Sequence, residues 1–76
     1  MLPKIYHPDD RKWLEDQFRK LSPEHRSRAA EGYSKTYSEA LEREPAEHKK
    51  ENSARFEANS RLRRYVNKIL TAMWGD

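Results

Sequence analysis

Apolar residues recur at helical spacing in three stretches of the chain. In the first stretch, Leu14, Phe18 and Leu21 stand at i, i+4 and i+7, with Trp13 about 100° to one side. The apolar face of the second stretch consists of Ala29, Ala30, Tyr33, Tyr37, Ala40 and Leu41. The third has Ala58, Leu62, Tyr65, Val66, Ile69, Leu70 and Met73. This spacing predicts amphipathic helices, and no stretch alternates as a strand does, so we expect an all-α protein with three helices.

Prolines and capping residues predict where the helices begin and end. Pro8 suits the first position of a helix, Ser22 before Pro23 is an N-cap signal, and Pro45 ends one helix and opens another. Gly75 fits a C-terminal stop. We therefore expect a single helical domain with an extended arm over residues 1–7 lying on the helices, and helices over about 8–21, 23–43 and 46–73.

Three expectations concern how these helices pack. Helices 1 and 2 should be antiparallel, and the long amphipathic C-terminal helix should exceed what its core requires. Gly32 interrupts the second helix, which indicates either a close helix crossing, favoured by the neighbouring alanines, or a kink. Residues 46–57 are nearly all polar, so this half of the third helix is expected to project into solvent or onto a partner.

The composition predicts a thin core. Only eleven of the 76 residues are Leu, Ile, Val or Phe, while the net charge is a modest +3. A chain of this size buries only about 60% of its unfolded surface, so a partner or a second copy would stabilise it. The absence of cysteine, of an apolar leader and of a long apolar run favours a cytoplasmic protein without a membrane span.

Catalytic and metal-binding patterns are weak in this sequence. His7, His25 and His48 share no ligand spacing, and Glu44 and Glu51 near His48 are explained equally well by surface ion pairs. No serine lies in a nucleophile elbow, and two glycines cannot form a phosphate-binding loop. We expect no enzyme activity, no cofactor, no metal and no small-molecule substrate.

Positive charge concentrates in the last third of the chain, where seven residues are basic and four acidic. On a helical wheel Arg61, Arg64 and Lys68 cluster opposite the apolar arc, with Arg63 on a flank. Such a face can contact phosphates, but Glu57 lies one turn from Arg61, and a solvated face of ion pairs needs no ligand. The candidate nucleic-acid residues are Lys50, Arg61, Arg63, Arg64 and Lys68, and Arg26, Arg28 and Lys49 would join them only if the tertiary structure brings them close.

The apolar residues of helices 2 and 3 exceed what helix 1 can cover. Self-association of two long helices, or a partner protein holding the helix in a groove, would bury the excess. The candidate interface consists of Tyr33, Tyr37, Leu62, Val66, Ile69, Leu70, Met73 and Trp74.

Residues 30–66 resemble small accessory proteins of lambdoid bacteriophages and prophages. The similar positions are Tyr33, Tyr37, the turn Glu42–Arg43–Glu44–Pro45, His48, Ala58–Asn59 and Leu62–Arg63–Arg64–Tyr65–Val66. The resemblance carries no catalytic motif. It implies expression in a bacterial host cytoplasm and a role in redirecting a host or phage machine by binding.

Together these features predict a non-enzymatic accessory protein that binds and modulates a host or phage protein assembly, as a homo-oligomer. The alternative is a small nucleic-acid-binding protein that uses the basic face of the C-terminal helix.

Overall fold

The computed structural model describes residues 2–74, with the side chain of Trp74 excluded. The α-helices are α1 (Arg11–Arg19), α2 (Pro23–Arg43) and α3 (Lys50–Trp74), and single 3-10 turns at Pro8–Asp10 and Glu47–Lys49 precede α1 and α3. No strand occurs among the described residues. The expected all-α fold with a long C-terminal helix is confirmed, and the stop expected at Gly75 lies outside the described residues.

Local capping explains where the helices begin. The Ser22 hydroxyl accepts from the backbone N–H of His25, and Pro23 opens α2 as the sequence predicts. Pro8 opens a 3-10 turn instead of an α-helix, with His7 Nδ1 accepting from the Asp9 N–H. The expected first helix is therefore shorter than residues 8–21, because its first and last turns tighten to i→i+3 hydrogen bonds.

The principal helix pair is α2 with α3. Contacts at Glu44 with Ser53, Tyr33 with Asn59 and His25 with Tyr65 run in opposite directions along the two helices, so the pair is an antiparallel hairpin. The sequence did not reveal that these two helices cover each other. At 25 residues α3 is about 37 Å long and accounts for most of the 44 Å long axis of the molecule.

The connection between α2 and α3 is held by side chains at both ends. Lys50 Nζ donates to the carbonyls of Leu41 (2.8 Å) and Glu44 (2.7 Å) at the C-terminus of α2. The Glu44 carboxylate accepts from the Ala46 N–H (3.2 Å) and the Ser53 hydroxyl (3.0 Å). These hydrogen bonds lower the pKa of Glu44 and fix the turn that sets the helix register.

The buried stripe of α3 begins with two alanines. Ala54, Ala58, Leu62 and Val66 are all buried at i, i+4 spacing, so the buried stripe continues into the segment expected to be solvated. Arg55 and Ser53 in that segment bind Asp10 and Glu44. The expectation that residues 46–57 project into solvent or onto a partner is therefore wrong, because polar contacts and alanines pack this half against the rest of the protein.

A polar network joins the start of α1 to both long helices. The Asp10 carboxylate accepts two hydrogen bonds from Arg55, both 2.9 Å, and one of 3.1 Å from Asn59, whose side-chain oxygen accepts from the Tyr33 hydroxyl. The guanidinium of Arg55 lowers the pKa of Asp10, whereas burial raises the pKa of Tyr33. Asp10 therefore stays ionised and Tyr33 protonated near neutral pH, which matches their roles as acceptor and donor.

The N-terminal arm and α1 close one side of the hairpin. Pro3 is buried, and the backbone N–H groups of Lys4 and Ile5 donate to the Ser34 hydroxyl of α2. Arg26 of α2 donates to the carbonyls of Phe18 (2.7 Å) and Arg19 (3.4 Å), which ties down the C-terminus of α1. Leu14, Phe18 and Leu21 are buried in the core.

Candidate functional site

The structure corrects the candidate apolar interface at four positions. Tyr33, Tyr37, Leu62 and Val66 are at most 4% exposed because α2 and α3 pack on each other. They form the core of the protein and are not available as a surface for a second chain. The sequence could not show this, since the same apolar stripe serves a core or an interface.

The end of α3 retains the exposed part of that interface. Ile69 and Leu70 are half-buried against the core, and Met73 is 71% exposed. The contact between His25 and Tyr65 places Tyr65 near the start of α2, so the last two turns of α3 extend past α2. The candidate Trp74 side chain lies outside the described residues.

Two of the five candidate nucleic-acid residues have structural roles. Lys50 binds the carbonyls at the C-terminus of α2, and Arg63 lies over the Trp13 ring, with its guanidinium carbon 5.3 Å from the ring centroid. This is a correction to the expected basic face, because both side chains already have partners on neighbouring elements. Arg61, Arg64 and Lys68 are exposed.

Arg61 and Arg64 are exposed, as the helical wheel predicts, and both also lie in a surface depression with the exposed Phe56. They line one edge of a groove between α2 and α3, and Arg28 of α2 also lines it. Among residues 2–74, none of these three arginines forms an ion pair, and Glu57, one turn from Arg61, binds Arg43. The sequence named Arg28 only as a conditional member of the basic face, since its position depends on the helix pairing.

We call the depression lined by Arg28, Arg61 and Arg64 the α2–α3 groove. Its cavity volume is about 350 Å³, and its remaining lining residues are Ala29, Gly32, Tyr33, Thr36, Ala58, Leu62 and Tyr65. The lining is mostly apolar, and Thr36 and Tyr33 are buried in it. An apolar floor beside three arginines is an arrangement that can bind an anionic group attached to an apolar one.

Gly32 lies in the lining of the α2–α3 groove. A Cβ built on Gly32 would meet nothing within 4 Å, and no described residue has a positive φ. The close helix crossing expected at this position is therefore wrong, and α2 continues through it as one helix. Glycine costs about 1 kcal/mol relative to alanine inside a helix, and neither backbone conformation nor packing accounts for it here.

The remaining chemistry of the described residues is sparse. No group of three His, Cys, Asp or Glu side chains within residues 2–74 is placed to hold a metal ion. His7 lies 3.3 Å from Glu51, which positions the arm against α3. Phe56 is 74% exposed on the side of α3 away from the core, a surface feature that the sequence pattern did not single out.

No family model, curated protein or solved structure matches this chain. No helix within the described part of the chain is long and apolar enough to cross a membrane. The resemblance of residues 30–66 to phage accessory proteins stays a prediction.

Proposed function

We propose that this protein is a non-enzymatic accessory protein, of the phage or prophage type, that acts by binding a host or phage protein assembly in the bacterial cytoplasm. It works as a homo-oligomer, and the end of α3 provides the contact between copies. The resemblance of residues 30–66 supports the accessory role. The observation that carries the binding role is the apolar end of α3.

The apolar end of α3 consists of Ile69, Leu70 and Met73 on turns that extend past α2. In a symmetric dimer joined at this end, the same apolar residues of each copy would be buried by the other copy. This contact requires no change in the packed hairpin. It also leaves the opposite end of α3 and the N-terminal arm accessible to a larger assembly.

We predict that Met73→Asp weakens self-association about tenfold or more, because a carboxylate would have to be desolvated at the centre of the contact. Met73 is 71% exposed, so the monomer should fold as before. Sedimentation equilibrium over a range of protein concentrations measures the association constant, and circular dichroism checks the fold. Phe56→Asp is the matched control, since Phe56 is equally exposed but lies far from the end of α3.

A wild-type protein that stays monomeric at high concentration would exclude the homo-oligomer. The accessory role is tested by affinity capture from bacterial lysate after nuclease treatment. We expect a defined protein partner that the wild type and Phe56→Asp both retain. Capture that depends entirely on nucleic acid would contradict a protein-binding role.

A second candidate function is nucleic-acid binding through Arg61, Arg64 and Lys68. The observation that favours it is that all three are exposed and form no ion pair among the described residues. The basic face is smaller than the five candidate residues, because Lys50 binds the Leu41 carbonyl and Arg63 lies over the Trp13 ring.

If this second function holds, affinity for duplex or single-stranded DNA should fall steeply with salt as phosphate contacts release counterions. Arg64→Gln should reduce the slope of log affinity against log salt by about 1 for duplex DNA. Fluorescence anisotropy at several salt concentrations measures this, with Lys12→Gln on α1 as the control. Absence of salt-sensitive binding at low salt would exclude the function.

A further inference from the structure

One of the residues that line the α2–α3 groove is Gly32, and neither the backbone conformation nor the packing at this position requires glycine. Gly32 has an ordinary helical φ, and a side chain at this position would point into open space. Because Gly32 lines the groove, a large side chain such as leucine at this position can extend over its mouth. Glycine leaves the groove uncovered, at a cost to helix stability of about 1 kcal/mol relative to alanine.

The charged residues in the lining of the groove all have the same sign. Arg28 belongs to α2, and Arg61 and Arg64 belong to α3, so both helices contribute a basic residue to the lining. No described carboxylate pairs with any of them. Arginine forms two parallel hydrogen bonds with a carboxylate, and these strengthen beside an apolar surface that excludes water.

We propose that the α2–α3 groove binds an acidic segment of a partner protein, with one apolar side chain on the floor and flanking carboxylates on Arg28, Arg61 and Arg64. This inference rests on the proposed function as a protein-binding accessory protein, and it uses a different surface from the end of α3. The occupant is a protein segment because the groove offers one short apolar site between cations.

The same features disfavour a nucleic-acid strand in the groove. Single-stranded nucleic acid binds through aromatic rings on which bases stack and a basic track along several phosphates. Here the Tyr33 ring is buried and its hydroxyl is bonded to Asn59, while the Tyr65 ring packs edge-on against His25. Lys50 and Arg63, which would lengthen the basic track, bind α2 and Trp13.

The probe for this proposal is a short, fluorescently labelled peptide in which glutamates flank a single leucine. We expect saturable binding, with amide chemical-shift changes of the ¹⁵N-labelled protein centred on Gly32, Ala58 and Leu62. A peptide with lysines in place of the glutamates should not bind. Replacing the leucine of the probe by alanine should weaken binding about tenfold, since the apolar anchor is lost.

Two variants of Gly32 separate binding from folding. Gly32→Leu should abolish probe binding by covering the groove, yet raise Tm by about 4–8 °C because leucine favours a helix and its Cβ meets no atom within 4 Å. Gly32→Ala should raise Tm similarly and keep most of the binding. Arg61→Glu should weaken binding at least about tenfold, while Lys12→Glu on α1, with the same change of charge, should not.

Unchanged probe binding in Gly32→Leu, or no saturable binding of the glutamate–leucine peptide by the wild type, would overturn the proposal. The proposal would also be overturned, in favour of a nucleic-acid groove, if a labelled oligothymidine binds the wild type but does not bind Gly32→Leu. Because these variants leave Met73 intact, failure of probe binding combined with preserved self-association and a nuclease-resistant protein capture would leave the proposed function standing. Loss of the capture as well would remove both.

Discussion

Phe18→Ala is expected to lower the free energy of unfolding by about 3–5 kcal/mol. Phe18 is 1% exposed and is the largest of the fully buried side chains, at the point where α1 closes over the α2–α3 hairpin. Its removal leaves a cavity that a chain this short has little means to refill. Since small domains are stable by only about 5–15 kcal/mol, a substantial fraction of the variant should be unfolded at physiological temperature.

Urea denaturation followed by circular dichroism measures this loss. The control position is Phe56, because its side chain is 74% exposed. Phe56→Ala should change the free energy of unfolding by no more than about 0.5 kcal/mol. Similar losses in the two variants would mean that α1 does not pack on the hairpin as described.

Asp10→Ala is expected to destabilise the protein by about 2–3 kcal/mol. The substitution leaves Arg55 and Asn59 without their shared acceptor in a partly buried site, where the Arg55 side chain is only 30% exposed. Asp9→Ala is the matched control, because the Asp9 side chain is 73% exposed. Arg55→Met in the Asp10→Ala background should recover part of the loss, with a coupling free energy of about 0.5–3 kcal/mol in thermal or urea unfolding.

The same network predicts how stability depends on pH. Because Arg55 lowers the pKa of Asp10 in the folded protein, the carboxylate stabilises the fold above its unfolded pKa of about 4. That contribution is lost as the pH falls through the lower folded pKa. Asp10→Asn should therefore be less stable than the wild type at neutral pH, and the difference should shrink in acid. A difference that stays constant with pH would contradict an ionised Asp10.

The apolar spacing that produces the buried stripe of α3 is present in the sequence, but the many polar residues around it favoured a different interpretation. Ala54 and Ala58 precede Leu62 and Val66 at the same spacing of four residues, so the stripe could have been extended toward the N-terminus. Alanine is common on both surfaces and interfaces, and the charged residues around Ala54 favoured a solvated helix. Only the approach of α2 and of Asp10 shows that this half of α3 is packed.

The basic residues of α3 also show what a local sequence pattern cannot predict. A helical wheel groups Arg61, Arg63, Arg64 and Lys68 on or near one face, yet Arg63 stacks on Trp13 while Arg61 and Arg64 line the α2–α3 groove with Arg28. These partners are separated in sequence by up to 50 residues. No local pattern relates side chains so far apart.

The C-terminal helix and the all-α fold were determined by the sequence alone, because proline, capping hydroxyls and apolar spacing act within one or two turns. The tertiary structure decided which apolar residues form the core, which cations have no ion-pair partner among residues 2–74, and that Gly32 lines a groove. These properties depend on the register between α2 and α3, which is set by the turn at Glu44 and by the network at Asp10. The end of α3 thus keeps only part of the surface that its sequence suggested, because the pairing of α2 with α3 buries the rest.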